Sequence, residues 1–369
     1  MKISVFKRIF TAYITIGTTF GIWFRPIITG MLFLILRIVV GLGRFADQIF
    51  FPRAFKSPLK NPIMIAGNPR SGTTFMHRYM VKSGIGTGSQ LWQMMYPSII
   101  LQKIIKPFLP LLEKMSPTRF HSVDAHAASL QSIETDDGAT FFRFFDGFFL
   151  YGFILSWAEK NLYKWVDPSH RNMTERDYKW LKSLWLQNQY IAGMDRTVGK
   201  LASIGGNLPQ FLDNFPDSKI LYMVRDPLSS IPSALSLVTG ALDRRFGFWN
   251  LPIEKRERYT KRLYNALLQL LLKFHEDWTN GLIDDSRVFI VPFNRILTDF
   301  DNLMIEILEF IDHPPSENLM KDIQDTAEKQ RNFQSKHKYD LGKFGLNEEQ
   351  IKLDCAPIYQ TFLNDRSDS

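Results

Sequence analysis

The clearest pattern in the chain is a short, unbroken apolar run at residues 62–67, followed by a small polar turn and a mixed apolar segment. A run of this length is typical of a parallel strand that is buried on both faces. Residues 219–224 repeat the pattern and lead into Arg225, Asp226 and Pro227. Because proline suits the first turn of a helix, a second helix is expected there. These units predict an α/β fold, a doubly wound parallel sheet of P-loop type with helices on both faces.

The first part of the chain has a different character. Residues 9–43 are strongly apolar, and Arg25-Pro26 divides them into two pieces of about 16 or 17 residues. Each piece is just short of the roughly 20 residues that span a bilayer comfortably. The apolar stretch is too long for a signal peptide, and no small-residue cleavage pattern follows it.

Three interpretations of residues 9–43 stay open. The segment could cross the membrane, with Lys2, Lys7 and Arg8 marking the cytoplasmic end. It could instead lie in the membrane interface, with Arg37 and Arg44 reaching the head groups. It could also be a helix pair packed on the globular domain. We expect membrane association, with the globular domain on the cytoplasmic side.

A basic connector with several prolines, residues 51–62, follows the apolar segment. We therefore expect three parts: an apolar, membrane-associating helical segment at residues 1–50, a large domain at 60–362 and a polar tail at 363–369.

The loop after the first strand has the chemistry of an anion site. Residues 67–74 read GNPRSGTT and lead into a helix, so that backbone N–H groups and a helix N-terminus can bind a phosphate. The spacing nearly matches G-x-x-x-x-G-K-[ST], but Thr73 occupies the lysine position. Because that lysine serves the β- and γ-phosphates of a nucleoside triphosphate, the loop is poorly suited to ATP or GTP hydrolysis. Arg70 supplies a cation earlier in the loop.

A second anion site follows the second strand. Arg225 is expected at the carboxyl end of that strand, where open α/β sheets place their ligand crevice. Ser233 lies eight residues later, two turns into the helix. A guanidinium and a hydroxyl in these positions can hold one phosphate from two sides. Two separate anion sites favour a nucleotide that carries phosphate groups at two positions.

These motifs resemble those of the sulfotransferases that depend on 3′-phosphoadenosine 5′-phosphosulfate (PAPS). The resemblance is to the bacterial-type branch, related to carbohydrate and tyrosylprotein sulfotransferases, and it covers roughly residues 55–362. It implies transfer of a sulfuryl group from PAPS, without a metal, to an acceptor hydroxyl on a carbohydrate, glycolipid or lipid-like molecule. The implied 5′-phosphosulfate ligands are Arg70, Ser71, Gly72, Thr73 and Thr74, and the implied 3′-phosphate ligands are Arg225 and Ser233.

The resemblance also points to catalytic groups between the two motifs. Relatives take their base, a Glu or a His, from this interval, which makes Glu134 the first candidate, His121 the second and Asp137 the third. Lys200 is either a surface lysine or a cation that neutralises charge on the bridging oxygen.

A late basic stretch has two readings. Its cations could close over the 3′ end of the nucleotide or form a solvated surface. They are Arg331, Lys336, His337 and Lys338.

The amino-acid composition limits the classes of ligand that suit the chain. The formal charge of +8 and the pI near 9.3 suit an anionic ligand or an anionic membrane surface. Nucleic acid is disfavoured, because the chain has no dense Lys/Arg block and no zinc-finger or RNA-binding motif. The single cysteine, Cys355, excludes intrachain disulfides and cysteine metal clusters.

Two rival functions remain from the residues alone. A P-loop kinase or NTPase would need an acidic magnesium ligand after a neighbouring strand, and Asp226 is available but follows an arginine. A non-catalytic, membrane-bound nucleotide-binding protein would keep both anion sites without the chemistry.

Overall fold

The computed structural model describes residues 3–115, 129–333 and 340–363. The strands are β1 (Ile63–Gly67), β2 (Val198–Lys200), β3 (Lys219–Val224) and β4 (Val288–Pro292). The helices are α1 (Val5–Phe20), α2 (Phe24–Phe50), α3 (Arg53–Lys56), α4 (Thr73–Lys82), α5 (Leu91–Met95), α6 (Ile99–Ile105), α7 (Leu109–Met115), α8 (Asp137–Phe144), α9 (Phe148–Phe153), α10 (Thr174–Ala192), α11 (Leu208–Asn214), α12 (Pro227–Phe246), α13 (Ile253–Thr279), α14 (Phe293–Thr298), α15 (Phe300–Phe310), α16 (Glu317–Arg331), α17 (Glu348–Asp354) and α18 (Ala356–Ile358).

The chain divides into two compact units. The helical unit comprises Met1–Leu59, Gly88–Asp195 and Leu235–Ala266. The sheet unit comprises Lys60–Thr87, Arg196–Ala234 and Leu267–Ser369, and it contains all four strands.

The four strands form one parallel sheet in the order β2-β1-β3-β4. Strand β1 is buried along its whole length, as its unbroken apolar sequence predicts. It pairs with β2 through Ile65 and Lys200, and with β3 through Gly67 and Met223. Because all the strands are parallel, their carboxyl ends meet at one edge of the sheet.

Helices cover both faces of this sheet, which confirms the predicted α/β fold. On one face, Ile65 and Met223 pack with residues of α4, α15 and α16, among them Met76 and Ile323. On the other face, the Tyr222 ring stacks on Phe274 of α13, with ring centroids 3.3 Å apart. Successive side chains of a strand point to opposite faces, so β3 contributes to both cores.

In the helical unit, the break between the two N-terminal helices lies at residues 21–23. The prediction that Arg25-Pro26 separates them is wrong by a few residues. Gly21 ends α1 in the left-handed conformation, with φ 68°, which costs glycine little. Pro26 lies in the first turn of α2, where a proline removes no helical hydrogen bond. Helix α2 is therefore 27 residues long, enough by length and composition to cross a membrane.

Helix α1 is fastened to the helical unit by a buried cluster of charges. The Asp146 carboxylate is fully buried, and it binds Arg171 with both oxygens and Arg176 at 3.0 Å. Arg8 of α1 lies 3.5 Å from the same carboxylate and donates to the carbonyl oxygens of Phe144 and Phe145. Three guanidinium groups thus surround one carboxylate, one of them from the N-terminal helix, and Arg176 also pairs with Asp177 at 2.6 Å.

Replacing this carboxylate is expected to destabilise the protein strongly. In Asp146→Asn, three arginines lose their common anion in a buried site, and breaking such a pairing typically costs about 3–5 kcal/mol. Urea unfolding followed by circular dichroism would measure the loss. The matched control is Glu348→Gln, which removes an exposed partner of Lys352. A loss in Asp146→Asn no larger than in the control would contradict this account.

Candidate anion-binding site at the carboxyl edge of the sheet

Two glycines allow the loop after β1 to pack closely. Gly67 has φ 126°, and a Cβ there would approach the Met223 carbonyl oxygen to 2.5 Å. Gly72 has φ 92°, and a Cβ there would lie 2.9 Å from the Phe293 ring. Both positions therefore require glycine, for backbone conformation and for space.

The loop holds its own shape through Asn68 and Ser71. The N–H and the hydroxyl of Ser71 both donate to the Asn68 carbonyl oxygen, at 3.2 and 2.7 Å. The buried Asn68 amide donates in turn to the Leu267 carbonyl oxygen at 3.0 Å. The Ser71 hydroxyl thus stabilises the turn. Since the first N–H groups of a helix have no acceptor within the helix, those at the start of α4 are suited to an anion.

Arg70 joins the two sequence motifs. Its φ of 72° is uncommon for a residue other than glycine, and such conformations concentrate at functional sites. Its Nε donates to Ser233 Oγ at 3.0 Å, and its carbonyl oxygen accepts from Arg225 Nη1 at 2.7 Å. The structure therefore brings together residues that lie more than 150 positions apart in the sequence.

Lys200 is a buried residue of the site. It is the last residue of β2, its side chain is 5% exposed, and its Nζ donates to Thr74 Oγ1 at 3.0 Å. The loop has Thr73 in the lysine position, and the neighbouring strand supplies an ammonium group beside the same helix terminus. Of the two readings of Lys200, the surface lysine is wrong.

Three residues that the sequence did not single out shape the same edge. Phe293, directly after β4, lies with its ring 4.2 Å from the Arg225 guanidinium. Asn68 holds the loop, as described above. Tyr359 donates to the Asp226 carboxylate at 2.5 Å, and its burial, together with this bond, raises its pKa. Nothing near Tyr359 in the sequence signals this contact.

Asp226 begins α12. Its carboxylate accepts from the Leu228 N–H at 2.9 Å as well as from Tyr359. This is the geometry of a helix cap. Within residues 3–115, 129–333 and 340–363, no group of three or more His, Cys, Asp or Glu side chains is arranged to hold a metal ion.

The candidate bases lie in the helical unit or outside the described residues. Glu134 is half-buried, and its N–H donates to the Ser89 carbonyl oxygen at 3.1 Å. Asp137 is the first residue of α8 and accepts from Thr135 Oγ1 at 2.6 Å. His121 lies outside the described residues. Their role as base stays a prediction.

The late basic stretch is described only in part. Arg331, at the end of α16, is exposed and pairs with Asp301 at 3.3 Å. Lys336, His337 and Lys338 lie outside the described residues, so closure over a nucleotide stays a prediction.

The edge as a whole presents three cationic side chains, those of Arg70, Lys200 and Arg225, around one helix terminus. The Ser233 hydroxyl bonded to Arg70 adds a neutral donor. Such a set of donors is suited to a ligand with more than one anionic group.

Comparison with known proteins identifies the family to which the chain belongs. A model of the sulfotransferase family matches residues 62–317, which is more than half of the chain. The fold is similar to that of the sulfotransferase STF1 from Mycobacterium tuberculosis H37Rv, with a TM-score of 0.71 at 16% identity, covering 95% of this chain and 91% of that one. It is also similar to the sulfotransferase STF9 from Mycobacterium avium, with a TM-score of 0.64 at 18% identity, covering 86% and 81%. No curated protein matches the sequence. The chain belongs to the sulfotransferase family.

Proposed function

We propose that the protein transfers the sulfuryl group of PAPS to an acceptor hydroxyl. The observation that carries this proposal is the junction at Arg70, where the loop after β1 meets Arg225 and Ser233. PAPS carries anionic groups at its 5′ and 3′ positions. A site that joins two anion-binding motifs at one edge of the sheet has the donors for both.

Each part of the site has a role in this proposal. Arg70, Ser71, Gly72, Thr73 and Thr74, in the loop after β1 and the first turn of α4, bind the 5′-phosphosulfate. Lys200 neutralises charge on the bridging oxygen. Arg225 and Ser233 bind the 3′-phosphate. In the reaction the acceptor oxygen forms a bond to sulfur, and the bond from sulfur to the phosphate oxygen breaks. The cations stabilise the charge that develops on that leaving oxygen.

The acceptor hydroxyl must also lose its proton. Glu134 is proposed to take it, with His121 and Asp137 as the alternatives. The products are then the sulfated acceptor and adenosine 3′,5′-bisphosphate.

The proposal includes the location and the acceptor class. Residues 60–362 are proposed as the sulfotransferase domain and 363–369 as a polar tail, with membrane association through residues 9–43 and the domain on the cytoplasmic side. An acceptor that is lipid-linked, a glycolipid or a carbohydrate is consistent with the apolar helix α2.

The two rivals make different predictions. A kinase or NTPase needs a magnesium ligand, and the Asp226 carboxylate already accepts two hydrogen bonds as a helix cap. Incubation with sulfur-labelled PAPS, a chelator and a membrane lipid extract tests the proposal directly. Label in a lipid or glycolipid fraction supports it. Transfer only from ATP with magnesium would contradict it, and nucleotide binding without transfer to any acceptor would favour the non-catalytic rival.

Arg225→Ala is expected to weaken binding of adenosine 3′,5′-bisphosphate. Each charge-assisted hydrogen bond lost contributes about 1.5–3 kcal/mol. Isothermal titration calorimetry should show a much smaller loss for adenosine 5′-phosphate, which lacks the 3′-phosphate. Arg244→Ala, an exposed arginine of the same helix α12, is the control and should bind both nucleotides normally. Equal losses for the two nucleotides in Arg225→Ala would refute the assignment of Arg225.

Glu134→Gln is expected to lower kcat by about a hundredfold or more, the usual contribution of a general base. The affinity for PAPS should stay nearly unchanged, because the substitution keeps the size of the side chain and removes only its basicity. The control Glu159→Gln alters a carboxylate that is 84% exposed and pairs with Arg258. If Glu134→Gln turns over at the normal rate, the role passes to His121 or Asp137.

A further inference from the structure

Helix α2 lies lengthwise against the helical unit. Val40, Gly43 and Asp47 are buried, and their spacing of three and four residues marks one face of the helix. Nearer the start of the helix, the Phe33 ring meets Phe145, with centroids 6.3 Å apart. A Cβ at Gly43 would lie 2.7 Å from Ser98 Oγ, so the helix approaches its support closely. The same face is therefore packed over several turns.

Charged groups fix the end of this helix. The Asp47 carboxylate accepts from the N–H groups of Ile99 and Ile100, at 2.8 and 3.0 Å, and so caps α6. Arg44 donates to the Pro97 carbonyl oxygen at 2.9 Å and to Ser183 Oγ at 2.5 Å. The side chains of Asp47 and Arg44 thus form their hydrogen bonds with protein atoms, and these bonds hold the last two turns of α2 on the helical unit.

The opposite face of α2 is apolar and exposed. Its exposed side chains are Phe24, Ile27, Ile28, Met31, Leu32, Leu34, Ile35, Ile38, Val39, Leu42, Phe45, Ile49 and Phe50. Helices α6 and α7, with the turn between them, add Ile104, Phe108 and Leu111, each 57% exposed. We call this set the apolar face. Continuous apolar surfaces of this extent mark sites of interaction with proteins or membranes.

The contacts of α1 and α2 favour an orientation along the membrane surface over a membrane-spanning α2. Helix α1 is held at both ends, by Arg8 at the Asp146 cluster and by Phe20, whose ring stacks on Phe246 with centroids 4.7 Å apart. Helix α2 packs along one side on the same unit. A helix that crosses a bilayer is surrounded by lipid or by other spanning elements, and this one borders the buried Asp47 and the polar contacts of Arg44. The apolar face can enter a membrane only from one side, parallel to its surface.

The exposed charged side chains of α1, α2, α6 and the turn after α6 are all positive. Between residues 3 and 50 the only acidic side chain is the buried Asp47. Lys7, Lys103 and Lys106 are exposed. A surface with this balance is attracted to anionic lipid and has no exposed carboxylate in its N-terminal helices to oppose the attraction.

A small cleft opens beside α2 and contains two more cations. It is lined by Leu36, Arg37, Val40, Met94, Met95, Pro97, Phe142, Arg143 and Trp180. Across the described ranges, neither Arg37 nor Arg143 forms an ion pair with a carboxylate. Burial and the charge of Arg143 lower the pKa of Arg37. Two half-buried guanidinium groups thus share a cleft, and in the described part of the chain no carboxylate pairs with either of them.

The size of the cleft indicates what it can hold. Its enclosed space is about 20 Å³, a little more than one water molecule requires. It can admit an oxygen of an anionic group and has no room for a hydrocarbon chain. A ligand with an apolar part must therefore place that part outside the cleft, on the adjoining apolar face.

We propose that the apolar face docks flat on an anionic phospholipid membrane, and that Arg37 and Arg143 together bind the phosphate of one lipid. The proposal rests on the membrane association proposed above and is independent of the chemistry of sulfuryl transfer. The acyl chains then contact the exposed side of α2, and the guanidinium groups hold the head group at its edge. The lipid phosphate then supplies an anion to two guanidinium groups that form no ion pair with a carboxylate within residues 3–115, 129–333 and 340–363.

Flotation of the full chain with preformed vesicles tests the docking. Vesicles of phosphatidylcholine with phosphatidylglycerol should bind the protein more tightly than pure phosphatidylcholine. Leu34→Glu with Leu42→Glu, both on exposed side chains, should abolish binding to either vesicle while circular dichroism stays normal. Unchanged binding of this variant would overturn the docking surface.

The phosphate site is tested by two double variants. Arg37→Gln with Arg143→Gln should weaken binding to the anionic vesicles by about tenfold or more. Arg37→Lys with Arg143→Lys should weaken it similarly, because lysine keeps the charge and loses the planar fork that grips a phosphate. Full rescue by lysine would overturn the specific site and leave diffuse attraction only. Arg244→Gln with Arg245→Gln, which removes two exposed charges outside the apolar face, is the control and should bind normally.

Two further measurements keep the proposals separate. Labels at Met31→Cys, Ile38→Cys and Phe45→Cys should report one shallow depth in the vesicle, whereas a graded depth would indicate a spanning helix and overturn the flat orientation. Binding of adenosine 3′,5′-bisphosphate is measured on every variant. A protein that binds vesicles and no nucleotide would refute the proposed sulfuryl transfer and leave this inference standing. One that binds the nucleotide and no vesicle would refute this inference together with the membrane association on which it rests, and leave the proposed sulfuryl transfer standing.

Discussion

Parallel pairing on both sides of β1 is the constraint on which the site depends. Strand β1 lies between β2 and β3, so its loop is flanked by the residues that end those two strands. Lys200 reaches the loop from one side and Arg225 from the other. Gly67 allows the turn because its missing Cβ leaves room for the Met223 carbonyl oxygen. A change in register between β1 and either neighbour would separate the cations from the helix terminus.

The sequence analysis predicted the features that depend on a few neighbouring residues. The unbroken apolar runs of β1 and β3, the glycine-rich loop and the Arg225-Asp226-Pro227 turn all carry their structure in a few neighbouring residues, and the predicted α/β fold is confirmed. The ambiguity of Lys200 had a physical reason. Its place beside Thr74 depends on β2 pairing with β1, and more than 120 residues separate these two side chains in the sequence. Tyr359 reaches Asp226 over a similar distance and left no signal.

The N-terminal helices show a different limit of sequence analysis. Apolar composition says that side chains avoid water, and it does not say whether protein or lipid replaces the water. The start of α2 was misplaced because proline at Pro26 was taken as a break, although the first turn of a helix accepts it. What the composition could not reveal was the division of α2 into a packed face and an exposed face, which depends on the distant residues that support it.

The bond between Arg8 and the Phe145 carbonyl oxygen closes a loop of 137 residues. At about 5–20 residues per second, the ribosome needs about 7–27 s to make the second partner after the first. Throughout this interval the partners of Arg8 at Phe144, Phe145 and Asp146 have not been synthesised. Adsorption of the apolar N-terminal segment to lipid in this interval would precede formation of the Arg8–Asp146 contact.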